Sequence, residues 1–261
     1  MKKRRYDELL QLAEEALGTD RLERAADLFE EAELLAREHG EMDLADRAFC
    51  NRCSVLVELD RGADQIPRLK EILLSSKDTR NRFLAAYSTG VAYDIAGDTE
   101  RAQRYARRAI GLARELDDRS LEYRSLNLVG VLAARTSVFD EAEDAFVQCL
   151  EAHRNAEGYQ KVMAAQVEDN LGYVMMCTER LEEGLDHCEK ARAIMEELGA
   201  EHYLFETLQD LCYGYLLADD LDRAEECGTR AMELAVDHSD EQIAKNCLFL
   251  LSEIAVRRGD T

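Results

Sequence analysis

The fold of this chain is decided by one stretch, Gly90-Val-Ala-Tyr93-Asp-Ile-Ala-Gly97-Asp98-Thr99-Glu100-Arg101-Ala102-Gln-Arg-Tyr-Ala106-Arg-Arg-Ala109. A small residue, Gly90, is followed three positions later by Tyr93, and alanines recur at 102, 106 and 109. Spacings of three and four place residues on one helical face, and a face of small side chains lets a second helix approach closely. Between them, Gly97 supplies a left-handed helix terminus, and Asp98 supplies an acceptor for the first free N–H groups of the next helix. The stretch predicts helix, tight turn, helix.

Working outward, the same ending recurs along the chain: Ala32-Glu-Leu-Leu-Ala-Arg-Glu-His-Gly40, Ala109-Ile-Gly-Leu-Ala-Arg-Glu-Leu-Asp117, Ala191-Arg-Ala-Ile-Met-Glu-Glu-Leu-Gly199 and Ala231-Met-Glu-Leu-Ala-Val-Asp-His-Ser239. Cys149-Leu-Glu-Ala-His-Arg fills the same slot, so the opening small residue steps by 77, 40, 42 and 40. Seven residues before each stands another small one, Ala25, Ala102, Ala142, Gly184 and Ala224, and twelve before that a third, Ala13, Gly90, Gly130, Gly172 and Cys212. A fixed period of this length is the signature of a stacked repeat, and the first step hides one degenerate unit. In that unit Ile66-Pro67 replaces the usual alanine, and Pro67 is tolerable in the first turn of a helix, where its missing N–H is not needed. Gly18-Thr19-Asp20 and Asp219-Asp220 stand at equivalent turns.

The pattern resembles the tetratricopeptide repeat. Gly90, Tyr93, Ala102, Ala106 and Ala109 match that family's small and aromatic positions, as do Ala13, Ala25, Phe29 and Ala32, and Gly130, Ala142, Phe146 and Cys149. The departures are the absence of Trp at the start of any first helix, the absence of Pro at the close of any second helix, and a step near 40 rather than ~34. The longer step is similar to the extended repeats of kinesin light chains, bacterial peptide-pheromone receptors and the sensor arms of signalling ATPases. The expectation is an all-α, right-handed solenoid of about six hairpins plus a C-terminal helix, forming a single domain over 1–261. Its units fall at 6–40, 41–78, 79–118, 119–157, 158–199 and 200–239, with the terminal helix at 240–257.

The resemblance implies that the first helices form a concave inner wall. Counted from the small residue of each first helix, the inward positions are −6, −3, +1, +4 and +5. The candidate groove residues are then Tyr87, Val91 and Asp94; Arg124, Asn127 and Val131; Gln166, Asp169 and Tyr173; and Gln209 and Tyr213. The −3 column, Tyr87, Asn127, Asp169 and Gln209, is the most informative, since an amide or carboxylate there pairs with the backbone of an extended peptide whatever its sequence. In extended-repeat relatives an Asn at this place does so, which points to Asn127. Val91, Val131, Tyr173 and Tyr213 at +1 add apolar and aromatic contact. Only Arg124 and Arg135 project inward as cations, against Asp94, Asp169 and Glu206, so the implied occupant is a neutral or basic peptide rather than an acidic one.

The last helix is apolar on more than one face, with Cys247-Leu248-Phe249-Leu250-Leu251 continuing through Ile254, Ala255 and Val256. Terminal repeats ordinarily carry a polar outer face. Phe249, Leu250 and Val256 are therefore candidate contacts for a second subunit or a further domain, and a homo-oligomer or a sensory arm of a larger assembly is the competing reading. Gly259-Asp260-Thr261 repeats the turn chemistry of Gly97-Asp98-Thr99.

Composition narrows the function further. The 261 residues carry 33 Lys+Arg against 55 Asp+Glu, a formal charge of −22, which opposes nucleic-acid and anionic-membrane binding. No apolar run has the length of a membrane span, and Met1-Lys2-Lys3-Arg4-Arg5 leads into Tyr6-Asp7-Glu8 rather than a signal core, so a cytoplasmic location is expected. Five arginines at 101, 104, 107, 108 and 114 form a local exception that reads as a solvated helix face. Of eight cysteines only Cys50 and Cys53 have a metal-like spacing, and no second ligand pair follows, so no metal and no cofactor are expected. No phosphate-binding glycine loop, nucleophile elbow or paired-histidine motif is legible, and His39, His153, His187, His202 and His238 read as groups near helix ends. No catalytic residue is assigned; the sequence predicts a protein- or peptide-binding scaffold without chemistry of its own.

Overall fold

The computed structural model describes residues 2–17, 19, 21–59, 61–152 and 159–259. Among them the chain forms thirteen α-helices and no strand: α1 (Lys2–Leu17), α2 (Leu22–Glu38), α3 (Met42–Glu58), α4 (Ile66–Ser75), α5 (Thr79–Ile95), α6 (Thr99–Glu115), α7 (Arg119–Arg135), α8 (Phe139–Ala152), α9 (Tyr159–Cys177), α10 (Leu181–Leu198), α11 (Glu201–Leu217), α12 (Leu221–Asp237) and α13 (Glu241–Arg258). This is the all-α hairpin repeat expected from the period, six hairpins and one further helix. Gly18, Asp20, His153, Asp260 and Thr261, and the side chain of His202, lie outside the described residues. Among the described residues no helix is long and apolar enough to cross a membrane.

The turns explain why the period is so regular. A residue with positive φ stands two positions before the next helix begins at Gly40, Gly97, Asp117, Ser137, Glu179, Gly199, Asp219 and Ser239. The glycines and Asp219 stood at turns legible in the sequence, whereas Ser and Glu have no such preference and every non-glycine residue occupies the region at a local cost. Asp78, Asp98, Asp220 and Asp240 then cap the following helix, their carboxylates accepting from the N–H groups of Asn81, Arg101, Arg223 and Ile243. Pro67 lies in the first turn of α4, as its chemistry requires, after a 3-10 turn at Ala63–Gln65. Helix α4 has only 10 residues, which accounts for the degenerate second unit.

The chain divides into two compact units, Met1–Leu132 and Ala133–Thr261. In unit one, a cluster around Tyr6, Leu9, Leu28 and Phe29 holds α1 to α3, and a second around Phe49, Leu69, Phe83 and Leu112 holds α3 to α6. Gly90 earns its place by proximity: a Cβ there would stand 3.3 Å from the Ala106 nitrogen and 3.4 Å from the Ala102 oxygen. The second hairpin is further fixed by a charge network in which Glu33 pairs with Arg37, Arg52 and Arg68, while the Arg68 guanidinium sits 3.6 Å from the centre of the Phe49 ring.

In unit two one continuous core runs from Ala165 through Met195, Leu208 and Leu211 to Ile254. Helices α9 and α10 cross at closest approach where Gly172 faces Gly184; a Cβ on Gly172 would meet the Gly184 carbonyl oxygen and the Cys188 sulfur, both at 2.6 Å. The small residues that define the repeat are thus contact points between paired helices.

Cys50 and Cys53 are both buried in the unit-one core, and burial pushes the Cys53 thiol up to about 12. A neutral, enclosed thiol of this kind is packing material.

Candidate functional site

The first-helix faces bring the predicted residues together in two groups, one in each unit. In unit one, α5 presents Tyr87, Val91 and Asp94, and α7 presents Arg124, Asn127 and Val131; all are half-buried except Arg124, which is exposed. The Arg124 guanidinium lies 4.8 Å from the centre of the Tyr87 ring, which also stacks with Phe83 at 6.0 Å. A cation of the protein itself therefore covers this aromatic. The Asn127 side-chain oxygen is buried and has no hydrogen-bond partner.

In unit two, α11 packs directly against α9. The rings of Tyr173 and Tyr213 meet at 6.3 Å with a tilt of 41°. Gln209, from the −3 column, is fully engaged: its amide nitrogen donates to Asp210 at 3.2 Å and its oxygen accepts from Asn246 on α13 at 2.9 Å. Asp169, in the same column, is not. Its side chain is only 6% exposed, and Oδ1 has no hydrogen-bond partner. Burial raises its carboxyl well above the usual range and the neighbouring Asp210 adds to the rise, whereas Thr207 and Cys188 oppose it. Burial likewise pushes Asp210 up to about 7, reinforced by Glu206. Glu206 is exposed, and partial desolvation by its neighbours raises its carboxyl, with Asp240 at the start of α13 contributing. Gln166 lies half-buried on the same helix as Asp169.

Asp210 is the residue that sequence reasoning missed. It stands at −2 in the column count and so fell outside the inward positions, yet it is four residues from Glu206 and three from Tyr213, which share its helical face. That spacing was the available signal.

Several other assignments change. Leu250 is 8% exposed and packs into the unit-two core with Cys247 and Ile254 rather than standing on the outer face of α13. Phe249 and Val256 do face outward, at 72% and 63% exposure, with Leu248 beside them. The reason is the α13 register: its buried stripe follows 247, 250 and 254, and 249 and 256 lie off it. His187 sits in the middle of α10 rather than near an end, against Glu168 of α9. The arginines of α6 are in part paired, Arg104 with Glu100 at 3.1 Å, Arg114 with Glu122 at 2.6 Å and Arg101 with Asp98 at 3.2 Å.

Residues 162–237 match the tetratricopeptide repeat family. A search of curated proteins finds no match. Among solved structures, the chain is similar to apo RapI, with 15% identity over 98% of this chain and 72% of that one and a TM-score of 0.74. It is similar to a Rap protein in complex with competence and sporulation factor, with 14% identity, coverage of 97% and 86%, and a TM-score of 0.70. It is also similar to the signal transduction ATPase with numerous domains from Pyrococcus horikoshii that carries a tetratricopeptide repeat sensor, with 15% identity and a TM-score of 0.71 over 97% of this chain. The chain spans 39% of that ATPase's length. These likenesses, all to proteins of low identity, establish the fold: this is a tetratricopeptide-type helical repeat.

Proposed function

We propose that the protein is a cytoplasmic, non-catalytic scaffold that binds a peptide or protein partner, neutral or basic, on the inner faces of its first helices. The observation that carries this reading is the state of the −3 column. Asn127 and Asp169 each hold a buried side-chain oxygen without a partner. Leaving such an atom unpaired costs about 1–3 kcal/mol, and the N–H groups of an extended peptide are the donors that would recover it. The likeness to a Rap protein in complex with competence and sporulation factor supports a fold suited to partner binding. The test is retention of peptides from a random nonapeptide display library by the purified chain. The wild type retains a defined set, and Asn127→Ala lowers retention about fivefold or more, equivalent to about 1 kcal/mol, with helicity unchanged. No enrichment, or equal retention by the variant, contradicts the reading.

A second reading rests on α13, whose Leu248, Phe249 and Val256 form an exposed apolar stripe at one end of unit two. Under it the chain is an oligomerisation or sensory arm that docks through this helix. Solution mass by light scattering, with Phe249→Gln and Val256→Gln as the comparison, separates the two: a concentration-independent monomer removes the arm, and a dimer abolished by the substitutions supports it.

A further inference from the structure

This inference deepens the binding reading for unit two by naming the group that its wall takes. On α11, Glu206, Asp210 and Tyr213 stand at i, i+4 and i+7, and on α9 Asp169 and Tyr173 stand at i and i+4. Each set shares one helical face, and α9 and α11 are packed together. Asp169 is nine-tenths buried; Thr207 and Cys188 hydrogen-bond its carboxyl, Oδ1 has no hydrogen-bond partner, and Asp210 and Glu206 lie near enough to raise it. Elsewhere the chain treats a buried carboxylate differently: Glu33, similarly enclosed, is met by Arg37, Arg52 and Arg68. Among the described residues, no Lys, Arg or His pairs with Asp169, Glu206 or Asp210.

Among the described residues no cation acts on the carboxyls of Asp169, Asp210 or Glu206. Facing Asp210 and Asp169 are Tyr173 and Cys177 from α9, Cys188 from α10, Glu206, Gln209 and Tyr213 from α11, and Cys247 from α13, with Asp240 at the α13 cap. Every ionisable member of that set is neutral or anionic. No guanidinium or ammonium of the described residues covers the Tyr173 and Tyr213 rings, whereas Tyr87, Tyr93 and Tyr215 each have one. Nor do three ligating side chains converge closely enough to hold a metal ion. Carboxylates spread along two helices beside an aromatic pair match a group with distributed charge and a flat or alkyl body.

We propose that Asp169, Asp210 and Glu206, together with the rings of Tyr173 and Tyr213, form a receptor for one arginine or lysine side chain of the protein partner. The carboxylates take the donors of the cation and the rings take its stem or plane. Burial pushes Asp210 up to about 7, so its carboxylate is available to a cation above that value and is lost as pH falls below it.

The test uses the full chain with N-acetyl-arginine methylamide as probe and the citrulline analogue, which has the same shape without the charge. Amide chemical shifts around Tyr173 and Tyr213 are followed during titration. At pH 8 the arginine probe gives saturable shifts, binding weakens about fivefold or more at pH 5.5, Asp210→Asn weakens it about tenfold, as loss of a charged partner predicts, and Asp169→Asn, which replaces an oxygen acceptor, weakens it as well. Asn matches Asp in size at both positions, and unchanged helicity checks that the fold survives. Equal binding of the two probes, or no effect of either variant, overturns the proposal. Library retention that persists without any Arg or Lys preference removes this site alone; arginine binding without peptide retention keeps the site and removes the scaffold reading.

Discussion

The same repeat column produces opposite chemistry in the two units. In unit one, α5 and α7 present Tyr87 with Arg124 already over its ring, and the open position is a neutral amide oxygen on Asn127. In unit two, α9 and α11 present a pair of tyrosines and carboxylates at Asp169, Asp210 and Glu206, with no cation of their own among the described residues. In unit one a guanidinium of the protein covers the aromatic, and in unit two none of the described residues does so. A repeat scaffold fixes where side chains project, and the few residues at those positions decide what each segment can recognise.

The units also differ in how tightly their paired helices meet, and this difference carries the largest expected effect. Gly172→Ala places a methyl at 2.6 Å from a carbonyl oxygen and should destabilise unit two by about 2–3 kcal/mol. At Gly90 the tightest contact is 3.3 Å, and the gain of about 1 kcal/mol in helix propensity offsets most of the strain, so Gly90→Ala should be close to neutral. Urea denaturation of both variants checks this; equal losses would erase the packing distinction.

The next effect is electrostatic. Asp210 is pushed up to about 7 in the folded chain, against ~3.9 in the unfolded one, so between those values the folded state holds more protons. The stabilising contribution of that proton is fully present below about pH 4 and is lost as pH rises through about 7. Asp210→Asn should therefore stabilise unit two at pH 8 by on the order of 2 kcal/mol and change little at pH 4. Thermal unfolding at the two pH values is the check, and a variant less stable at pH 8 would break the contrast between the walls. In unit one, Arg124→Gln removes an exposed ring contact and should cost about 0.5 kcal/mol without altering the pH dependence.

The smallest effect lies in the turns. Asp219 occupies the left-handed position that Gly97 fills in unit one. Asp219→Gly should raise stability by about 0.5 kcal/mol, and Gly97→Ala should lower it by about 1 kcal/mol. Matched melts of the two variants read out the sign.

The repeat, the hairpins, the helix caps and the Pro67 position were legible because each depends on residue type at a fixed spacing. Tyr173 and Tyr213, 40 residues apart, were legible as members of one column, and that their rings meet is a finding of the structure. Asp210 was passed over because at −2 it falls outside the inward column, and besides its spacing to Glu206 and Tyr213 what sets it apart is its proximity to Asp169 of α9 and Cys247 of α13. Leu250 misled for a related reason: an apolar run does not say which of its members face inward, and the α13 register turned Leu250 into the core and Phe249 out of it. Asn127 and Asp169 share a column in the sequence, but that an oxygen of each is buried without a partner is a fact of packing.

The most direct measurement is site-resolved photo-crosslinking with the random nonapeptide pool, using p-benzoylphenylalanine in place of Tyr173, of Phe249 and of Leu34, an exposed residue of α2. Peptide attached at position 173, and absent from 249 and 34, is the predicted result. Attachment at 249 alone, or equally at all three, would contradict the assignment of binding to the first-helix faces.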